Sequence, residues 1–142
     1  MQIKEIMTEN VEVIQPGTSV KDAAAMMKDL DAGVLPVIDG SNLAGVLTDR
    51  DIVIRSTAEG NNPNEVRAGD IISEDLAVCH DNEEVETVAA RMRENKIRRL
   101  PVVDRDNQLV GIVSLGDLAV EADERMAGET LEEISKPGQP ER

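Results

Sequence analysis

Thr48 and Asp51 stand three positions apart, and Ser114 and Asp117 repeat the spacing. Both pairs lie in nearly matching stretches, GVLTDRDI over 45–52 and GIVSLGDL over 111–118. A hydroxyl and a carboxylate so spaced support two kinds of chemistry. At the start of a helix they form a capping box, in which the hydroxyl accepts one amide hydrogen bond and the acid accepts another. Facing a cleft, the hydroxyl and unpaired first helical amides can hold a phosphate, while the carboxylate accepts hydrogen bonds from the vicinal hydroxyls of a ribose. The spacing alone admits both.

Either use needs a strand to deliver the hydroxyl and a helix to begin beside it, and the chain supplies both twice. MKDLDAGVLPVIDGSNLAGVLTDRDI aligns with MRENKIRRLPVVDRDNQLVGIVSLGDL. Leu35 to Asp39 match Leu100 to Asp104 at an offset of 65, and Gly45 matches Gly111 at 66, so the second copy has one extra residue between its strands. A hairpin turn absorbs such an insertion, whereas inside a strand it would exchange the two faces. Val20, Ala23, Ala24 and Met27 form a helical stripe, and Val85, Val88, Ala89 and Met92 repeat it. Ser19 and Asp22 are spaced to cap the first of these helices.

Strands are expected over 34–38, 43–47, 99–103 and 109–113, with short leading strands around 11–14 and 76–78. Second helices are expected from Asp49 or Arg50 and from Leu115 or Gly116, the first ending in the turn residues Gly60 to Asn64. The class is α/β in the α+β sense. Two β-α-β-β-α repeats, 1–62 and 63–122, each with little core alone, are expected to pack with approximate twofold symmetry, ahead of a helical and frayed tail over 123–142.

The 142 residues include 29 Asp and Glu against 15 Lys and Arg, for a formal net charge of -14. That charge opposes binding to nucleic acid or to anionic lipid. Phe, Tyr and Trp are absent, so a ring-shaped ligand would lie against aliphatic side chains. With no apolar signal in MQIKEIMTEN and no stretch of membrane-span length, a soluble cytoplasmic protein is expected. Cys79 is the only cysteine and His80 the only histidine. They exclude an intrachain disulfide and make a poor zinc site, since structural zinc usually takes four ligands. A buried or edge cysteine beside a surface histidine is expected, with no metal and no other cofactor; the alternative is a metal shared across a dimer interface. Neither residue belongs to an evident nucleophile–base pair, so no enzyme activity is expected.

Arg91, Arg93, Lys96, Arg98 and Arg99 form the densest basic run. They suit the end of a helix, paired with nearby acids, and a guanidinium of Arg98 or Arg99 also suits a phosphate. Strand alternation puts Arg98 and Leu100 on one face and Arg99 on the other.

LPVID with GVLTDRDI, recurring as LPVVD with GIVSLGDL, resembles the cystathionine beta-synthase (CBS) domain family in its tandem form, the Bateman module, over about residues 3–122. The resemblance implies paired repeats around two clefts, dimerisation, and noncatalytic sensing of adenine nucleotides or related adenosyl compounds. It implies ribose-binding acids at Asp51 and Asp117 and phosphate-facing hydroxyls at Thr48 and Ser114. It further implies base contacts near Gly33, Val34 and Pro36 and near Ile97, Arg98 and Pro101, with Val13 and Val78 lining the clefts. Arg50 stands where the second copy has Gly116, which makes the two sites electrostatically unequal. LTDRDIVIR followed by STAEGNNPNEVRAGDI is also similar to small bacterial stress- or dormancy-associated tandem CBS proteins. The expected function is a homodimeric sensor that binds AMP, ADP or ATP in inter-repeat clefts and alters a surface for a protein partner. The alternative is a ligand-independent structural or protein-interaction dimer.

Overall fold

The computed structural model describes residues 1–72 and 77–121. The tail expected over 123–142, and Leu76 of the second leading strand, lie outside the described residues. The chain forms two compact units, one drawn from Glu12–Leu76 and the other combining Met1–Val11 with the chain from Ala77 onward.

In the first unit, α1 spans Val20–Leu30, and its start is fixed by the Ser19 hydroxyl, which accepts from the Asp22 amide at 3.1 Å. It ends at Asp31, whose left-handed φ of 51° turns the chain out of the helix. β1 (Val34–Asp39) and β2 (Asn42–Thr48) form an antiparallel hairpin. β2 runs directly into α2 (Asp49–Ile52), which continues as a π-helical turn over Val53–Thr57. The chain then reverses through Gly60, at a φ of 75°, to the short α3 (Ala68–Ile71). The second unit repeats the pattern with β3 (Cys79–His80), α4 (Val85–Asn95), β4 (Arg99–Val103), β5 (Leu109–Ser114) and α5 (Leu115–Glu121). Its sheet order is β3-β4-β5, with β3 parallel and β5 antiparallel to β4.

The hairpins share a bulge. Val37 pairs with Gly45 and Ile38 with Leu43, stranding Ala44; Val102 pairs with Gly111 and Val103 with Leu109, stranding Val110. The inserted residue of the second copy therefore falls in the turn, where Asn107 and Gly40 both take a φ of 64°.

Three sequence expectations need correction. Only Ile14 of the first leading segment bridges β1, through Val37, and of the described residues of the second, Ala77 and Val78 precede β3, which begins at Cys79. The pairing position is set by burial: Ile14 and Cys79 are 3% and 0% exposed. Ala24 is exposed, and Met26 packs beside the buried Val20, Ala23 and Met27. Finally, each unit closes a core of its own. Ile14, Val20, Ala23, Met27, Leu35, Val37, Leu47, Ala68 and Ile71 form one cluster, while Val85, Val88, Ala89, Met92, Leu100, Val102 and Val113 belong to another that includes Ile3 and Ile6.

Ile3 and Ile6 explain how the second core closes. The Val85 amide donates to the Met1 carbonyl at 3.0 Å, just as the Val20 amide donates to the Val66 carbonyl at 2.9 Å. The segment MQIKEIM thus serves the 77-onward unit as VRAGDII serves the 12–76 unit, so the compact units do not coincide with the expected repeat spans 1–62 and 63–122. Thr8 and Ile112 exchange backbone hydrogen bonds at 2.8 and 3.0 Å. A Cβ on the neighbouring Gly111 would lie 2.7 Å from the Thr8 carbonyl oxygen and 2.9 Å from the Met7 sulfur, so glycine is required there by close approach.

The second unit also carries an ion pair that the first lacks. The two terminal nitrogens of the Arg91 guanidinium, Nη1 and Nη2, donate to the Glu83 carboxylate at 2.7 and 2.5 Å, and Nη1 also donates to the Val78 carbonyl at 3.0 Å. Glu83 further accepts from the His80 amide at 2.7 Å. The Arg91 hydrogen bonds hold the Glu83 carboxyl below the usual carboxylate range, against the opposing effect of burial. Cys79 lies in the core, where burial pushes its thiol up to about 12.

Gly111→Ala is expected to cost about 1–3 kcal/mol in urea unfolding, because Thr8 or Met7 must move aside. Arg91→Met is expected to cost about 1–3 kcal/mol at neutral pH. That deficit persists above the ordinary carboxylate range and closes as pH falls through the lowered Glu83 value, where the parent protein also loses the pair. Cys79 should resist thiol reagents in the native protein at pH 8 and react once urea unfolds it. Because the unfolded thiol ionises before the buried one, stability should decline as pH rises from about 9 towards about 12.

Candidate functional site

Each unit builds the same junction where its hairpin enters a helix. In the first, the Asp51 amide donates to the Thr48 hydroxyl oxygen at 3.0 Å, and the Thr48 amide donates to Asp51 Oδ2 at 3.0 Å. In the second, the Asp117 amide donates to the Ser114 hydroxyl oxygen at 3.2 Å, and the Ser114 amide donates to Asp117 Oδ2 at 2.9 Å. The capping reading of the spacing is thus realised twice. The next amide is satisfied by the residue before the hairpin: Asp49 donates to the Gly33 carbonyl at 2.9 Å, and Leu115 to the Arg98 carbonyl at 3.1 Å.

These bonds leave little for the other use that the spacing admits, a phosphate held by unpaired first amides: in the first unit the amides of Thr48, Asp49, Arg50 and Asp51 all have partners, that of Arg50 being Asp49 Oδ1 at 2.8 Å. Side chains at 48, 49 and 51 satisfy three of these donors, and the Gly33 carbonyl satisfies the fourth. Each capping hydroxyl accepts one bond and still carries a proton to donate. Each carboxylate uses Oδ2 in the cap, out of about four acceptor sites on its two oxygens, so capping and acceptance of two further hydroxyl protons are chemically compatible.

The strand register places other predicted residues around the junctions. Val34 pairs with Thr48, and the Gly33 carbonyl holds Asp49; a Cβ on Gly33 would meet Asp49 Oδ2 at 3.0 Å. Arg50 is exposed. In the second unit, Arg99 pairs with Ser114, while Arg98 is half-buried and its carbonyl receives Leu115. Ile97, half-buried, packs on the core cluster. Leu100 is buried and Arg99 exposed, as strand alternation requires.

Other residues lie away from these junctions. Pro36 and Pro101 are buried; the Pro36 carbonyl accepts from the Ile14 amide at 3.0 Å, and the Cys79 thiol lies 3.8 Å from the Pro101 carbonyl. Val13 adjoins Ile14, on the edge of β1 opposite β2, and the carbonyl of Val78 holds Arg91. Arg91 is therefore a structural member of the basic run. Among the described residues, no group of three or more His, Cys, Asp and Glu could hold a metal ion, and no helix is long and apolar enough to cross a membrane.

Arg55 was missed in sequence reasoning. Its Nε lies 4.0 Å from Asp51 Oδ1, and its Nη1 donates to the Ile71 carbonyl at 3.0 Å. The i,i+4 spacing from Asp51 was legible in the sequence. The carbonyl sixteen residues away had no sequence signal.

Comparison with known proteins places this geometry among relatives. The CBS domain family profile matches residues 3–56 and again 68–124. The CBS domain-containing protein YhcV of Bacillus subtilis is 40% identical over 134 residues, covering 94% of each chain. The structure of Hypoxic Response Protein I with two coordinated zinc ions matches at a TM-score of 0.76 and 34% identity, covering 84% of this chain and 97% of that one. The structure of CBSX2 in complex with AMP matches at a TM-score of 0.72 and 31% identity, over 83% of this chain and 92% of that one. CBS domains generally serve regulatory and ligand-sensing roles and are typically noncatalytic. With both repeats matched and their shared junction in place, the chain belongs to the CBS domain family.

Proposed function

We propose that this chain is a regulatory module that binds an adenosine-containing nucleotide, AMP, ADP or ATP, and acts in the cytoplasm as a homodimer. Asp51 and Asp117 accept the ribose hydroxyls. Thr48 and Ser114 donate their hydroxyl protons to phosphate, with Arg50 adding positive charge in the first copy only. Gly33 and Val34, and Ile97 and Arg98, flank the base with backbone and aliphatic groups; the buried Pro36 and Pro101 shape the strands that carry them, and Val13 and Val78 line the far edge.

The observation that carries this reading is the recurrence of one hydroxyl–carboxylate geometry at both strand-to-helix junctions. The cap orients each carboxylate and leaves acceptor capacity on it. The likeness to CBSX2 with AMP supports the choice of ligand class. The two coordinated zinc ions of Hypoxic Response Protein I lend no support to a metal reading here, since no group of three or more His, Cys, Asp and Glu stands together among the described residues.

A protein-interaction role is the second reading. It is favoured by Val53 and Ile54, which are 58% and 45% exposed on the helix that follows the first junction.

Calorimetric titration with AMP, ADP, ATP and GTP tests the first reading. Binding near micromolar strength corresponds to about -8 kcal/mol. Asp51→Asn or Asp117→Asn should weaken the adenine nucleotide bound at its own junction by about tenfold to one hundredfold, or about 1.5–3 kcal/mol. Unchanged binding in both variants and in the double variant would overturn the assignment, and no saturable heat with any nucleotide would favour the interaction module.

A further inference from the structure

We infer that Arg55 is a positioning residue that couples the state of the Asp51 carboxylate to the α3 segment, through an arginine that the sequence of the second copy does not repeat. One guanidinium spans two elements. Its Nε faces Asp51 Oδ1 at 4.0 Å, the oxygen outside the cap, while its Nη1 donates to the carbonyl of Ile71, the last residue of α3, at 3.0 Å. Asp51 Oδ2 is fixed by the Thr48 amide, so the outer oxygen is where a change at the carboxylate must be felt.

The π-helical turn beginning at Val53 alters the helical path between Asp51 and the end of this helix, a type of irregularity that recurs at functional positions. Arg55 is half-exposed, so its pull on Asp51 is modest and can shift without a large cost. The α3 segment packs by contrast: Ala68 and Ile71 are buried in the first core, and the Ala68 and Gly69 amides donate to the Thr18 and Pro16 carbonyls at 2.8 and 2.9 Å. A change at Asp51 that frees or tightens Arg55 therefore reaches a segment anchored in the core through one side chain. In the second copy, the position equivalent to Arg55 is 121, a glutamate in sequence, and Gly116 replaces Arg50.

The inference rests on the reading of Asp51 as a ligand acceptor for its biological meaning, yet its test needs no nucleotide, so the two can fail separately. Hydrogen exchange of the Ile72 amide, which donates to the Ala68 carbonyl at 3.2 Å, reports the last turn of α3. It is measured in the full chain for the parent protein, Asp51→Asn, Arg55→Gln and the double variant. Either single change should speed exchange by about two- to fivefold, in keeping with a partly exposed ion pair. The double variant should exchange no faster than Arg55→Gln alone.

Rates that multiply in the double variant, or an Asp51→Asn rate equal to the parent, would overturn the coupling and leave Arg55 a simple surface contact. Should Arg55→Gln unfold, Arg55→Lys serves in its place: it keeps the charge but loses the fork, and the same non-additivity is required of it.

Discussion

The reciprocal hydrogen-bond pair between a strand's last hydroxyl residue and an acid three positions later organises each half of this protein. It ends the hairpin, begins the helix and aims a carboxylate, all with two short bonds. Each element around it serves that point. The left-handed residues Asp31 and Lys96 end α1 and α4 so that the chain can turn back into β1 and β4. Those strands then present the carbonyls of Gly33 and Arg98, which receive the first amides of α2 and α5. A ligand-binding surface built on this frame inherits its rigidity, because the acid is oriented before any ligand arrives.

The two copies use one frame with different charges. Asp51 has Arg50 beside it and Arg55 one turn on, whereas Asp117 follows Gly116. Thr18 and Met26 occupy in the first copy the places of Glu83 and Arg91 in the second, where a partly buried ion pair joins the start of α4 to the strand-side carbonyl of Val78. The second unit is braced electrostatically near its leading strand and the first near its junction. If the two junctions bind ligand as proposed, this difference in charge makes their sites unequal.

Much of this frame was legible in the sequence because it is written twice. The offset of 65 changing to 66 located the inserted turn residue, and the observed registers put it there. The stripe Val85, Val88, Ala89 and Met92 was readable because all four face one side, while Ala24 broke the parallel stripe for lack of any sequence mark of its exposure. The service of Met1 to Met7 to the second core was hidden for a different reason. MQIKEIM and VRAGDII share a single identity, Ile6 with Ile71, and only their apolar positions coincide, a pattern too short to mark which segment packs with which repeat. Closed amide partners at 48–51 were likewise beyond reach, since donors and acceptors balance only once the backbone path through the π-helical turn is fixed.

The proposed role of Asp51 and Asp117 requires each carboxylate to serve cap and sugar together. An experimentally determined structure of the chain with bound AMP answers this directly. The account predicts a ribose hydroxyl within hydrogen-bond distance of at least one of these carboxylates, with the amide of Thr48 or Ser114 still bonded to the same acid. AMP held elsewhere, with both carboxylates touching only their own helix starts, would contradict it.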